Sequence, residues 1–139
     1  SDGKPAAMFG MGGGFEIEAV VAGVRNQGRY VFGAAFFDGL GGRICGMNSF
    51  DTGGVAFSMG GGERFRVVCR IPSMNLLPGL FRVDVVLQTA DGRRLVDKAA
   101  NAVTFEILGR DVYRTGRVPK GPGIMYLPCD WDVNPLQKG

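Results

Sequence analysis

Glu16 and Glu18 are the two side chains whose spacing comes nearest to a catalytic arrangement. Residues two apart on a β-strand point to the same face, and a pair of neighbouring carboxylates carries out glycoside hydrolysis in many enzymes. Two acids on one strand are, however, typical of a solvated strand face. We therefore interpret this pair as surface rather than as catalytic machinery.

Other catalytic and metal-binding arrangements are excluded because the residue types that they require are missing. The chain has no histidine, which excludes Ser-His-Asp and Cys-His catalysis and His-ligated zinc. Met11–Gly14 is glycine-rich, but no Lys-Ser or Lys-Thr pair follows, so it is not a phosphate-binding loop. Asp130 and Asp132 lack the further oxygen ligands of a calcium loop. The sequence predicts no enzyme, no metal and no cofactor.

Cys45, Cys69 and Cys129 are odd in number and far apart, and none belongs to a Cys-x-x-Cys pair. They do not form the pattern of a disulfide framework. Cys45 and Cys69 stand in apolar runs, so we expect both to be small core residues. Reduced cysteines are typical of a cytosolic protein.

The net charge is +3, and the basic residues are scattered rather than clustered. A nucleic-acid interface would show a basic stripe. The charge therefore indicates a solvated surface, and we expect no nucleic-acid partner. No apolar run is long enough to span a membrane.

What remains is a binding surface made of outward-facing side chains on β-strands. In Phe81–Leu87, apolar and polar residues alternate, which is the period of a half-buried strand. Aromatic rings can stack on sugars, and charged or amide groups can bond their hydroxyls. The candidate ligand-binding residues with outward phase are Phe37, Arg66, Arg70, Arg82, Asp84 and Gln88.

Short alternating runs separated by glycine-rich turns predict an all-β fold, an antiparallel β-sandwich of the jelly-roll type. Asp38–Gly42 and Ala90–Arg93 are predicted hairpin turns. Pro78-Gly79 is predicted to form a further turn with a positive φ at Gly79. Gly46–Asn48 is predicted to form a turn in which the side chain of Asn48 bonds nearby backbone. Residues 94–102 are predicted to form a loop or a helical turn. The predicted strands are 15–22, 30–37, 43–46, 55–58, 64–71, 80–89, 103–108 and 123–127. The predicted organisation is an N-terminal segment or edge strand (1–14), a sandwich (15–133) and a tail (134–139).

Four segments, in order and spacing, resemble a known family: Phe32–Asp38, Gly42–Ser49, Leu76–Val83 and Val103–Ile107. The chain resembles the C-terminal carbohydrate-binding domain of the ATP-binding subunit of Wzt-type ABC exporters, which move O-antigen polysaccharide. Ser49 stands where this family usually has Thr, and Phe81 where it usually has Tyr.

The resemblance implies an immunoglobulin-like jelly roll that binds the exported O-antigen without catalysis. It implies a homodimer, with exchange of the C-terminal strand as one route. The nucleotide-binding domain of an ATPase subunit would then precede this fragment, and the transporter's nucleotide-binding and membrane subunits would be partners. The location implied is cytoplasmic, at the inner face of the bacterial inner membrane. The alternative is a structural or dimerisation module with no glycan ligand.

Overall fold

The computed structural model describes residues 7–23 and 28–136, in which the chain forms eight β-strands and one short helix. No helix in these ranges is long and apolar enough to cross a membrane. The elements are β1 (Ala7–Gly10), β2 (Phe15–Ala22), β3 (Gly28–Asp38), β4 (Arg43–Asn48), α1 (Ser49–Gly53), β5 (Phe57–Met59), β6 (Arg64–Ile71), β7 (Gly79–Thr89) and β8 (Leu95–Leu108).

The strands form two sheets. The larger sheet has six strands in the order β1-β8-β7-β3-β4, with β5 also paired to β3, and the smaller sheet is β2-β6. All pairs are antiparallel except β1 with β8, which is parallel. The predicted all-β sandwich is confirmed, and the parallel edge pair is a feature that the sequence pattern did not predict.

Alternation of residue types determines which face of each strand is buried. On β2, Phe15 and Ile17 are buried whereas Glu16 and Glu18 are exposed. On β7, Phe81, Val83 and Leu87 are buried in the same manner. The apolar faces of the two sheets meet, and this contact forms the core.

Phe105 lies at the centre of the core with no exposed surface. Its ring centroid is 5.0 Å from that of Phe15, 5.5 Å from that of Phe81 and 6.1 Å from that of Phe36. Edge and offset contacts between rings add about 0.5–1.5 kcal/mol per pair beyond the burial of apolar area. A second cluster holds the other end of the sandwich and consists of Val21, Tyr30, Phe32, Met59 and Leu87.

Strand β8 is longer than predicted. Residues 94–102 were expected to form a loop or a helical turn, but the strand begins at Leu95. Val83 pairs with Val103 while Val85 pairs with Ala99, so β8 bulges opposite Asp84. Asn101 in this bulge has φ of 53°. The bulge breaks the alternation, which is why the sequence pattern did not reveal the first half of the strand.

The predicted turn at Gly46–Asn48 is instead the end of β4, followed by α1, which was not predicted. Asn48 is the N-cap of α1: its side chain accepts from the backbone N–H groups of Phe50 and Asp51, which confirms the expected backbone bonding. Gly54, with φ of 66°, ends the helix in the left-handed conformation.

The turn at Asp38–Gly42 is present. The backbone N–H of Asp38 donates to the carbonyl of Gly42 over 2.9 Å. Gly41 has φ of 87°, a value that favours glycine. Gly79, in contrast, is the first residue of β7 and has no positive φ, so the predicted conformation of the Pro78-Gly79 turn is wrong.

The tail pairs with the sandwich at only one bridge among the described residues, between Leu76 and Met125, so the predicted strand at 123–127 does not form. Cys69 is half-buried, but Cys45 is exposed at the sheet edge, contrary to the expected core position. The domain boundaries at residues 14 and 133 stay predictions.

Candidate functional site

The structure separates the six candidate residues onto two opposite faces of the sandwich. Arg66 and Arg70 lie on β6, in the smaller sheet. The other four lie on β3 and β7 of the larger sheet, where their strand neighbours face the core: Phe37, Arg82, Asp84 and Gln88. The six therefore cannot bind one small ligand together.

Arg66 and Arg70 are engaged in cross-strand ion pairs. Arg66 Nε lies 2.8 Å from Glu18 Oε1, and Arg70 Nε lies 3.5 Å from Glu16 Oε1. All four side chains are more than half exposed. This face is a set of neutralised surface charges, each pair of which adds little stability.

Asp84 is buried, at 5% exposure, although it was expected to be free to touch a ligand. Its Oδ1 accepts from Arg82 Nη1 and from the backbone N–H of Asn101, each over 2.8 Å. Arg82 Nη1 also donates to Asn101 Oδ1 over 3.1 Å. A buried carboxylate needs an ion pair and hydrogen bonds to offset its loss of hydration. Asp84 obtains one of these hydrogen bonds from Asn101, and this bond holds the bulge of β8 in place.

Phe37 is partly covered as well. The guanidinium carbon of Arg82 lies 4.0 Å from the centroid of the Phe37 ring, which is a cation–π contact. One face of this ring is therefore occupied by Arg82 and is not open for stacking on a sugar.

A polar groove with a volume of about 460 Å³ runs across the outer face of the larger sheet. This volume lies within the range of small-molecule sites. Three predicted residues line it, Phe37, Asp84 and Gln88, together with Arg43, Asn48, Asp51, Val86, Leu95 and Lys98, which the sequence reasoning missed. The groove is thus built on β3, β4, β7, β8 and α1.

Small residues form the floor of the groove: Gly33, Ala35 and Gly46. A Cβ at Gly33 would lie 3.1 Å from Val86 Cγ2, and a Cβ at Gly46 would overlap the guanidinium of Arg43. Arg43 therefore lies over the floor in space that a larger residue would fill. The spacing of small outward-facing residues along β3 is the signal from which the groove could have been predicted.

The α1 end of the groove has a fixed polar arrangement. Asn48 Oδ1 accepts from the backbone N–H of Asp51 over 2.7 Å, and Asn48 Nδ2 donates to Asp51 Oδ2 over 2.8 Å. The carboxylate of Asp51 is held at the edge of the groove by this reciprocal bonding.

A second cavity, of about 380 Å³, lies between the two sheets beside β6. Its walls are chiefly apolar and include Phe32, Met47, Phe57, Phe65 and Val67. Among the described strands, β6 pairs only with β2. This apolar cleft therefore opens beside an unpaired strand edge.

Four ionisable groups outside the groove have shifted pKa values, among them Tyr113, whose pKa is raised chiefly by desolvation. Burial raises the pKa of the half-buried Cys69 thiol. Local desolvation by neighbouring atoms also raises the pKa of Cys45, although this residue is exposed, against a smaller opposing effect of Arg43. The Thr89 hydroxyl and the backbone N–H of Arg93 lower the pKa of Asp91. Within residues 7–23 and 28–136, no group of three or more His, Cys, Asp or Glu side chains could hold a metal.

The fold and the groove define an all-β sandwich domain with a polar surface groove. The family model for the Wzt C-terminal domain matches residues 1–119, and the chain belongs to this family. This is a family of non-catalytic C-terminal domains, and the general role that follows is that of a domain associated with an ABC transporter. The resemblance stated from the four sequence segments is confirmed.

The chain is similar in fold to a solved structure, described as the crystal structure of the C-terminal domain of Wzt. The TM-score is 0.75 at 12% sequence identity, and the match covers 91% of this chain and 74% of that chain. At this identity the likeness shows the fold alone. A comparison with curated protein sequences finds no match.

Proposed function

We propose that this domain binds an O-antigen polysaccharide, without altering it, through the groove on the outer face of the larger sheet. The observation that carries the proposal is the polar groove of about 460 Å³ on a sheet face of a Wzt C-terminal domain. The outward charges of the smaller sheet are instead paired with one another, which favours the larger sheet as the binding face.

The lining of the groove suits a sugar. Gln88 and Lys98 supply polar groups for hydroxyls at the β7–β8 side, and Asp51 supplies a carboxylate at the α1 side. The low floor at Gly33 and Ala35 allows a ring to approach the sheet, and Val86 offers an apolar contact for its C–H groups. A few polar groups around an apolar floor are typical of small-ligand sites.

Calorimetry with the O-polysaccharide of the source strain tests the proposal. Ala35→Phe places a ring on the floor of the groove, and we expect affinity to fall about tenfold or more, which is roughly 1.4 kcal/mol. Ala22→Phe is the matched control, because Ala22 is exposed on β2 of the smaller sheet. Wild-type protein that does not bind this polysaccharide would contradict the proposal, as would equal loss in both variants.

The proposed role in export implies particular partners. We propose that it follows a nucleotide-binding domain in an ATPase subunit and works with the membrane subunits of the transporter, at the cytoplasmic face of the bacterial inner membrane. It takes no nucleic acid and no cofactor in this role. Co-purification of the full-length subunit with the transporter's membrane subunit tests this assignment, and its recovery without that subunit would argue against it.

A structural or dimerisation module without a glycan ligand is the alternative. The apolar cleft beside the unpaired edge of β6 favours it, and the exposed apolar side chains of the tail supply complementary chemistry: Leu127, Trp131 and Leu136 are 66%, 84% and 94% exposed. Exchange of the C-terminal segment between two copies would cover both surfaces.

Analytical ultracentrifugation of the intact chain, and of a chain shortened after Pro128, separates the two functions. A dimer that becomes monomeric on shortening supports strand exchange. Leu40→Asp is a control, since Leu40 is 99% exposed and lies away from the cleft lining. A tight dimer that does not bind the source strain's polysaccharide would favour the structural module over the glycan-binding function.

A further inference from the structure

Two cations in the groove have no charge partner among the described residues. The described salt bridges join Arg66 to Glu18, Arg70 to Glu16 and Arg82 to Asp84. Arg43 and Lys98 line the groove but take part in none of them. An unpaired cation facing a concave surface is a candidate partner for an anion.

The two cations approach the groove from opposite sides. Arg43 is on β4, opposite Phe37 on β3, and its guanidinium lies over Gly46. Lys98 is on β8, opposite Val86 on β7. Since β8 and β4 are separated by three strand steps in the sheet, their backbones lie about 14 Å apart. The small-residue floor lies between them.

The carboxylates of the groove do not neutralise this charge. Asp84 is committed to Arg82 and to the backbone of Asn101. Asp51 is held by Asn48 at the α1 edge. The arrangement leaves two free cations against one exposed carboxylate, and the groove favours a ligand with negative charge.

We propose that the sugar unit held in this groove carries an anionic group, either the carboxylate of an acidic sugar or a phosphate. This inference rests on the proposed glycan-binding function and specifies its ligand class. Arg43 supplies the planar fork that can hold two oxygens of a carboxylate or phosphate together. Lys98 supplies a second positive charge from the β8 side, as a mobile point charge.

The test uses calorimetry with the source strain's O-polysaccharide in three forms: untreated, carboxyl-reduced and dephosphorylated. We expect Arg43→Gln and Lys98→Gln each to weaken binding of the untreated form about fivefold or more, and added salt to weaken wild-type binding. Loss of affinity on carboxyl reduction identifies an acidic sugar, and loss on dephosphorylation identifies a phosphate. Either result supports the proposal.

Arg70→Gln is the matched control, because it makes the same change on the other sheet and should leave affinity unchanged. Thermal unfolding of each variant checks that the exposed substitutions leave the fold intact. If the two groove variants and both treated glycans bind as tightly as the originals while Ala35→Phe still abolishes binding, the anionic ligand is ruled out and the glycan-binding function stands. If the wild type binds no form of the glycan, both are overturned.

Discussion

At the scale of single residues, Asp84 and Arg82 have a structural role that their outward phase did not suggest. Asp84 Oδ1 holds Arg82 on one side and the backbone of Asn101 on the other, each over 2.8 Å. Arg82 in turn covers a face of Phe37. These contacts link β3, β7 and β8 at the margin of the groove. Substitutions at these residues are therefore expected to lower the stability of the fold rather than to remove a direct contact with a ligand.

Arg82→Ala should therefore destabilise the domain, although the sequence pattern indicated only a ligand-binding role for Arg82. Removal of Arg82 leaves a buried carboxylate whose remaining donor among the described residues is the backbone N–H of Asn101. Because Arg82 is 30% exposed in its side chain, we expect a loss of about 1–3 kcal/mol. Urea unfolding measures it, and Arg66→Ala, in an exposed pair, should cost less than about 1 kcal/mol. Equal losses would contradict the assigned role.

The cysteines offer a second test at this scale. Burial raises the pKa of Cys69, and local desolvation raises that of the exposed Cys45, which lowers the thiolate fraction of both at neutral pH. Cys129 is exposed. We expect alkylation by iodoacetamide at pH 7 to modify Cys129 first and Cys69 last, as followed by mass spectrometry. Rates should become equal in denaturant, and rapid labelling of Cys69 in the native protein would contradict its placement.

At the scale of elements, the bulge of β8 determines the shape of the groove. It sets Lys98 opposite Val86 at the groove wall, and a second register shift, between Leu87 and Gln88, sets Leu95 opposite Gln88. The bulge is held by the bonds of Asp84 and by the left-handed conformation of Asn101. Asparagine tolerates this conformation better than other side chains of its size.

Replacement of Asn101 tests the bulge directly. Asn101→Val places a β-branched residue at φ of 53°, whereas Asn101→Gly fits this conformation without steric cost. Both variants lose the contact to Arg82, so the comparison isolates the backbone effect. We expect the valine variant to be about 1–2 kcal/mol less stable than the glycine variant, as measured by urea unfolding. Equal stabilities would show that the bulge relaxes.

At the scale of the whole molecule, the two sheets are unequal. A six-stranded sheet faces a two-stranded one, so the smaller sheet covers only part of the larger one. The apolar cleft beside β6 lies at the edge of the covered area. The central strands β3 and β7 each have neighbours on both sides, whereas β2 and β6 each have one among the described strands. Stability should therefore differ between the sheets.

Hydrogen exchange measures this difference. We expect the amides of β3 and β7 to exchange most slowly, and those of β6 to exchange fastest among the longer strands. This order should hold in dilute protein. If the protection of β6 amides rises with protein concentration, a second copy adds a strand to β6. If the β6 amides are as protected as those of β7 at high dilution, the expected difference in stability between the two sheets is wrong.

The sequence predicted the local elements well where alternation was regular. Strands β2 and β6 have the predicted bounds, because each side chain's environment follows from a period of two. It failed where a bulge broke this period. Lys98 was missed since residues 94–102 did not look like a strand, and Arg43 was missed since a bulge between β3 and β4 brings it opposite Phe37.

By itself, the sequence determined the all-β fold, the absence of histidine-dependent chemistry and the outward phase of the candidate residues. These properties depend on residue type and short-range spacing. Only the tertiary structure decided which outward residues share a face, since this depends on strand order and register between segments far apart in the chain. It separated Arg66 and Arg70 from Gln88, buried Asp84 in a structural role, and brought Arg43 and Lys98 to one groove.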